Sequence, residues 1–186
     1  MRAMQKTILN ILLFQAAWFV TIFAAGTGYP YIGLLYTIIW MFFHFSFFVK
    51  NRFAEWNLLL FAALLGYVFD SLMVYLGVFV FPAEAMLGAP STIWMVALWI
   101  NLAATLNFSM SWLKGRLLLA SLLASIAGPA TYYAGSRFDA INMQASWSLY
   151  AIALQWFVAM PLLLWFSQRQ TFFSDKKVLL NNVGGD

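Results

Sequence analysis

Residues 57–81 read NLLLFAALLGYVFDSLMVYLGVFVF, and the fold turns on how this stretch is read. It contains one acidic side chain, Asp70, and no basic one, and its first part, Leu58-Leu59-Leu60-Phe61-Ala62-Ala63-Leu64-Leu65, is apolar at every position. A strand of a membrane barrel would run for about 10 residues and alternate apolar with polar positions. Residues 57–81 do neither, so they predict a helix. A bilayer core about 30 Å thick is crossed by about 20 mostly apolar helical residues, and this stretch is long enough to cross it.

Five further segments meet the same test, at about residues 7–25, 31–49, 91–113, 117–134 and 147–166. They are separated by Gly26-Thr27-Gly28-Tyr29-Pro30, by Lys50-Asn51-Arg52, by the stretch from Pro82 to Pro90, by Lys114-Gly115-Arg116 and by a polar stretch around Arg137. Pro82 is expected to end the third span, because proline lacks the amide donor that a helix needs. The expected fold is all-α: a polytopic transmembrane bundle of six helices forming one domain over residues 1–168. Residues 169–186 are expected to be a cytoplasmic tail, partly disordered.

Composition agrees. Of 186 residues, 64% are hydrophobic and 9% charged, with a mean hydropathy of +0.83. Soluble domains carry about 25% charged residues, so this chain could not cover a water-facing surface without large apolar patches. Cysteine is absent, which excludes disulfides, thiolate metal sites and cysteine nucleophiles. The first segment could be mistaken for a signal peptide, since Ala24-Ala25-Gly26 loosely resembles a cleavage site. Its length, and Gln15 and Trp18 inside it, favour a retained span.

The basic residues give an orientation. With the amino terminus inside, the cytoplasmic segments hold Arg2, Lys6, Lys50, Arg52, Lys114, Arg116, Arg169, Lys176 and Lys177, while the external loops hold only Arg137 of the 10 Lys+Arg. Cytoplasmic loops carry an excess of Lys and Arg. Both termini are therefore expected in the cytoplasm, and the net charge of +4 reports topology, with no nucleic-acid partner implied.

Polar residues inside the spans are costly in hydrocarbon and therefore informative. An ionisable side chain at mid-bilayer costs about 2.5–3.5 kcal/mol on insertion scales and normally faces the bundle interior or a wet cavity. Asp70 reads either as part of a ligand, ion or proton site or as a group satisfied by inter-helix hydrogen bonds. Gln15, Asn101 and Gln155 fall at nearly the same expected depth, so that with Asp70 they would form a polar layer from four helices at the midplane. Amides there also act as glue between helices. His44, the single histidine, shares a helical face with Gly33, Thr37 and Trp40. It reads as a packed, hydrogen-bonded residue or as a proton carrier, and a contact with Asp70 would need tilt or a bridging group.

The fourth span carries Trp94, Asn101, Thr105, Ser109 and Trp112 on one stripe, and Asn107 and Ser111 on another. Polar residues on two faces predict a helix surrounded by protein. In the fifth span Ala120, Ala124 and Gly128 repeat at four-residue spacing, a pattern that lets backbones approach closely, either within the molecule or against a partner helix. Pro129 and Pro161 are expected to kink their helices. Trp56, Trp112, Trp147 and Trp165 fall near span ends, as in an aromatic belt. Trp18, Trp40, Trp94, Trp99 and Trp156 lie deeper, where they either fill the core or line a pocket.

The chemistry of common enzymes is missing. Ser71, His44 and Asp70 do not make a triad, because neighbours on a helix diverge by about 100°. There is no Gly-rich phosphate loop, no HExxH and no set of histidines for a metal, and no cofactor is expected. Asn107-Phe108-Ser109 matches a glycosylation sequon but lies within a span.

Asn10, Phe14, Gln15, Trp18 and Phe19, then Asp70-Ser71, then Pro90, Trp94, Met95, Leu98 and Trp99, then Thr105, Leu106 and Ser109, together resemble an uncharacterised bacterial inner-membrane family, domain of unknown function 2878. The resemblance covers most of the chain. It implies the inner membrane of a Gram-negative bacterium and supplies neither an activity nor catalytic residues. A coarser likeness is to the six-helix substrate-binding subunits of energy-coupling-factor transporters. Those dock through small residues on the first helix, but Ala16, Ala17, Ala24 and Ala25 lack the Ala-xxx-Ala spacing.

Three functions stay open. The first is binding or transport of a small apolar or amphipathic molecule, with Asp70, His44, Gln15, Asn101, Gln155, Trp18, Trp94, Trp99 and Thr105 as candidate ligand-binding residues. The second is a lipid-modifying enzyme or enzyme subunit. The third is an assembly role in which Ala120, Ala124 and Gly128 meet a partner helix. Membrane lipid is the expected surround in each.

Overall fold

The computed structural model describes the backbone of residues 3–183 and the side chains of residues 4–170. It contains six α-helices: α1 (Ala3–Gly26), α2 (Tyr31–Phe47), α3 (Arg52–Tyr75), α4 (Ile93–Leu106), α5 (Leu117–Arg137) and α6 (Ser148–Val183). Four stretches of them, Met4–Gly26, Arg52–Tyr75, Leu117–Arg137 and Ser148–Gln170, are long and apolar enough to cross a bilayer. The other two are apolar but shorter, at 17 and 14 residues. The outer surface is formed by residues such as Phe19, Ile39, Phe42, Leu60, Leu64, Leu118, Ile126 and Leu154, all largely exposed. Such an exterior is consistent with a protein embedded in a membrane.

α4 occupies the centre. Ten of its 14 residues are buried, and it packs on α1, α2 and α3, while α6 packs on α3 and α5. This is the arrangement expected from a helix with polar side chains on two faces. α2 buries Gly33, Thr37, Trp40 and His44, the face read from the sequence. Trp56, Trp112, Trp147 and Trp165 are exposed, and Trp40, Trp94 and Trp99 are buried, so the tryptophans divide as expected into a surface set and an interior set.

α3 and α4 depart from the expected spans, each for a local reason, and α6 runs well past its expected end at residue 166. α3 begins five residues earlier, at Arg52, because Asn51 caps it: the Asn51 side chain accepts a hydrogen bond from the Ala54 amide at 3.1 Å, satisfying one of the four free N–H groups of a helix start. It also ends well before Pro82. Gly77 takes a left-handed conformation (φ +67), its amide donates to the Val74 carbonyl at 3.1 Å, and the Val78 amide donates to the Met73 carbonyl at 2.9 Å. This is the paired closure that a glycine just past a helix end permits. The stop is Gly77.

α4 ends at Leu106, seven residues short of the expected Leu113. Asn and Ser side chains offer backbone groups an alternative to the helix ladder, and three of them follow at Asn107, Ser109 and Ser111. The Phe108 and Met110 amides both turn back to the Thr105 carbonyl, and Ser111 Oγ donates to the Phe108 carbonyl at 2.7 Å. A short 3₁₀ turn, Ser111–Leu113, follows before α5.

The connections α3–α4 and α5–α6 meet in a feature absent from the sequence reading, a two-stranded antiparallel ribbon of β1 (Phe79–Val80) and β2 (Asn142–Met143). Ser148 Oγ donates to the Val78 carbonyl at 2.5 Å beside it. The ribbon marks one end of the bundle. Lys50, Arg52, Lys114 and Arg116 mark the opposite, basic end. α5 and α6 continue through Pro129 and Pro161. The helical backbone of α6 runs to Val183 through most of the expected tail, and residues 184–186 lie outside the described residues.

Candidate functional site

Asp70 is fully buried on α3 and gathers one donor from each of three other helices. Trp99 Nε1 of α4 donates to its Oδ2 at 2.7 Å. Tyr132 Oη of α5 donates to Oδ1 at 2.5 Å, and Gln155 Nε2 of α6 donates to the same oxygen at 3.1 Å. Each helix presents its residue at a similar distance from the ribbon end. Asp70 stands five residues before the last residue of α3 and Tyr132 five before the last of α5, while Trp99 stands six after the start of α4 and Gln155 seven after that of α6. At about 1.5 Å per residue the layer lies roughly 8–10 Å inside the ribbon end. Asp70 therefore stands nearer the ribbon end than the middle of α3, because α3 both starts and stops earlier than hydropathy indicates.

Two glycines make room for the aromatic wall beside this carboxylate. The Trp99 and Trp156 rings stack at 4.7 Å with an interplanar angle of 6°. A Cβ on Gly66 of α3 would overlap the Trp99 ring, and one on Gly128 of α5 would overlap the Trp156 ring. The stacked pair is thus clamped between two bare backbones, and its outer edge is held by Asp70 through the Trp99 N–H.

That wall borders a cavity of about 370 Å³. α1 and α5 share little direct packing, and the cavity lies between them, with Trp99 of α4 and Trp156 and Met160 of α6 behind. Phe14, Gln15 and Trp18 line the α1 side, and Ala124, Gly128 and Tyr132 the α5 side. Met110, Trp112 and Leu113, from the irregular segment after α4, close the basic end. Trp112 and Leu123 are half-exposed, so the cavity opens on the outer, apolar face of the bundle. Other grooves along α2 are larger, at about 570 and 610 Å³, but are lined mainly by outward-facing apolar side chains and reach no member of the Asp70 cluster.

The candidate residues named from the sequence divide by position. Trp18, Trp99 and Gln15 line the cavity, and Asp70 and Gln155 hold its wall from behind. Asn101 joins neither group: its Nδ2 donates to the Phe14 carbonyl at 3.0 Å and ties α4 to α1. Trp94 donates to the Ala85 carbonyl at 2.7 Å, near the ribbon end. Thr105 donates within its own helix, to the Leu102 carbonyl at 2.6 Å. Ala120, Ala124 and Gly128 are buried and line the cavity. The sequence reading does not single out Tyr132 as a partner of Asp70 or Trp156 as the ring stacked on Trp99. Counting residues from helix ends would have placed both at the level of Asp70.

His44 lies elsewhere. It is fully buried on α2 and its Nε2 pairs with Glu55 Oε1 of α3 at 2.8 Å, with Phe48 stacked on it and Phe108 edge-on. The second Glu55 oxygen accepts from Asn107 Nδ2 at 2.8 Å. Asn107 Oδ1 in turn accepts from Lys114 Nζ at 2.6 Å and Ser167 Oγ at 2.8 Å. This second network gathers α2, α3, the segment after α4 and α6 at the basic end. Burial lowers the affinity of the Lys114 ammonium for its proton below the ordinary lysine value, and the nearby Glu55 charge offsets part of that effect. Ser109 Oγ donates to Asn10 Oδ1 at 2.6 Å, so the segment that closes the cavity is held from two sides. Among the described residues no three His, Cys, Asp or Glu side chains converge as metal ligands.

A family model described as "Protein of unknown function (DUF2878)" matches residues 7–162. Neither the curated proteins nor the solved structures contain a match to the chain.

Proposed function

The chain belongs to the family described as protein of unknown function (DUF2878), and from the geometry of its own residues we propose that it binds or transports a small apolar or amphipathic molecule in the cavity between α1 and α5. One observation carries the reading: the cavity wall is built from Trp99 and Tyr132, and both are fixed by a fully buried carboxylate that itself lines no part of the cavity. Burying an ionisable group in a bilayer is costly, and apolar packing alone would hold helices together at lower cost. The carboxylate supports a wall of defined shape. Ligand pockets are typically apolar hollows of about 300–1,000 Å³ with a few placed polar groups, and a cavity of about 370 Å³ lies within that range.

His44 and Asp70 lend no support to a lipid-modifying enzyme. Both are fully buried and neither lines the cavity, so no reacting group there would come within the 2.6–3.2 Å or so that proton transfer requires.

We place the protein in a bacterial inner membrane as six crossings with both termini in the cytoplasm. The support is the charge split, with Lys50, Arg52, Lys114 and Arg116 gathered at the basic end. Fourteen residues of α4 span about 21 Å, less than the hydrocarbon thickness. Residues 107–113 extend it, and irregular backbone is tolerated at membrane depth where protein surrounds it. Single cysteines at Arg116 and Arg137 of this cysteine-free chain test the topology. An impermeant thiol reagent added to intact cells should label the Arg137 position only, and labelling at Arg116 would reverse the orientation.

The ligand reading is tested by extraction. Protein purified with its surrounding lipid should carry a small molecule that an Ala124→Phe variant, with its cavity filled, does not. Identical extracts from the two proteins would remove the reading.

A further inference from the structure

We infer that the molecule held in this cavity is electrically neutral and carries an oxygen acceptor at one end: a membrane-soluble alcohol or ketone. This rests on reading the cavity as a ligand site and adds the chemical class. Among the described residues, none of the side chains lining it is Asp, Glu, Lys, Arg or His. Asp70 lies behind the wall with its oxygens already engaged by Trp99, Tyr132 and Gln155. A charged headgroup would enter with no counter-charge to meet it, which is strongly unfavourable away from water. Fatty acid anions, phosphorylated lipids and amines are thereby selected against.

A neutral oxygen, in contrast, finds a partner. The Trp156 indole N–H, on a residue that lines the cavity together with Tyr132, is buried and makes no hydrogen bond of normal geometry. A buried donor left open is unfavourable until something accepts from it, and a hydroxyl or carbonyl oxygen would do so. The Tyr132 hydroxyl has its proton engaged by Asp70, so the indole N–H is the donor that a ligand oxygen would meet. The polar end of the ligand therefore belongs against Trp156. Its apolar body runs toward Trp112 and Leu123, which are half-exposed on the outer face where hydrocarbon would surround the protein. Such a ligand can enter from the bilayer without crossing water.

Competition in phosphatidylcholine nanodiscs tests this at neutral pH. Tritiated farnesol is displaced by unlabelled farnesol, by farnesylamine or by farnesyl phosphate, three probes that share one body and differ in charge. Saturable farnesol binding is expected, with the amine and the phosphate competing at least about tenfold more weakly, a difference of about 1.4 kcal/mol. Trp156→Phe should weaken farnesol binding severalfold, and Ala124→Leu should abolish it. Leu123→Trp, at the exposed rim where no room in the core is needed, should also weaken it. Equal competition by either charged probe would overturn the neutral class and leave the cavity standing, and undiminished affinity in Trp156→Phe would overturn the role of its N–H. Absence of saturable binding, or full binding in both cavity-filling variants, would remove the cavity reading itself.

Discussion

Replacing Asp70 by Asn isolates the contact on which the cavity wall depends. The volume hardly changes, but one acceptor oxygen becomes an NH₂ donor. Oδ1 receives two donors, Tyr132 and Gln155, and Oδ2 receives one, Trp99. The least costly orientation of the new amide keeps its oxygen toward Tyr132 and Gln155 and turns its NH₂ toward the Trp99 N–H. One buried donor then faces another, and an unsatisfied buried donor costs about 1–3 kcal/mol. For a chain of this size, 186 residues, each kcal/mol moves the unfolding midpoint by about 2–4 °C, so the expected fall is about 2–12 °C. Thermal unfolding in mild detergent, followed by tryptophan emission, reads it. Trp99→Phe removes the opposing donor, so the double variant should be less destabilised than the sum of the two single variants by about 0.5–3 kcal/mol, the range for residues in direct contact. An Asp70→Asn protein as stable as wild type, with strict additivity in the cycle, would refute the view that Asp70 fixes the wall.

Gly128→Ala places a methyl group in the Trp156 ring and should cost about 1–3 kcal/mol through overpacking. Trp156→Leu in the same chain should return part of that loss, as measured by the same unfolding midpoint. His44→Phe keeps the aromatic packing but removes the Glu55 partner at 2.8 Å, and is expected to cost about 1–3 kcal/mol with no change in farnesol affinity, since His44 lies outside the cavity. Lys114 gives a pH signature. Its proton affinity is lowered in the folded chain, so just below the ordinary value of 10.5 the unfolded chain binds more protons, and stability rises with pH in that window. Wild type should therefore gain stability relative to Lys114→Met as the pH is raised toward that value, and a constant or falling difference would contradict the burial of this ammonium.

Much of the architecture was legible because lipid imposes a simple rule on composition. Apolar length alone picks out all six helices, and the periodicity of Gly33, Thr37, Trp40 and His44 identifies the buried face of α2. The helix ends were harder, since hydropathy continues across Gly77 and Asn107 while the backbone does not. The stops are made by a left-handed glycine and by side chains that compete for backbone groups. Those shifts bring Asp70 toward the ribbon end, to the level of Tyr132, a residue that the expected fifth span of 117–134 puts close to its end. Glu55 falls outside the third span expected from residue 57, so the sequence reading does not pair it with His44: with the α2–α3 turn at residues 48–51, the two stand at matching depths. Gly66 carries no signal of its own in one sequence, and Gly128 is legible only as part of a small-residue repeat. Their role appears only when the Trp99 and Trp156 rings are set against them.

The most direct test of the account is an electron-microscopic structure of the protein extracted with its native lipid and reconstituted without detergent. Elongated density between α1 and α5, reaching from Trp112 to Trp156 and bounded by Tyr132, is the expected result. Direct packing of α1 on α5, with no space between Trp18 and Gly128, would contradict it.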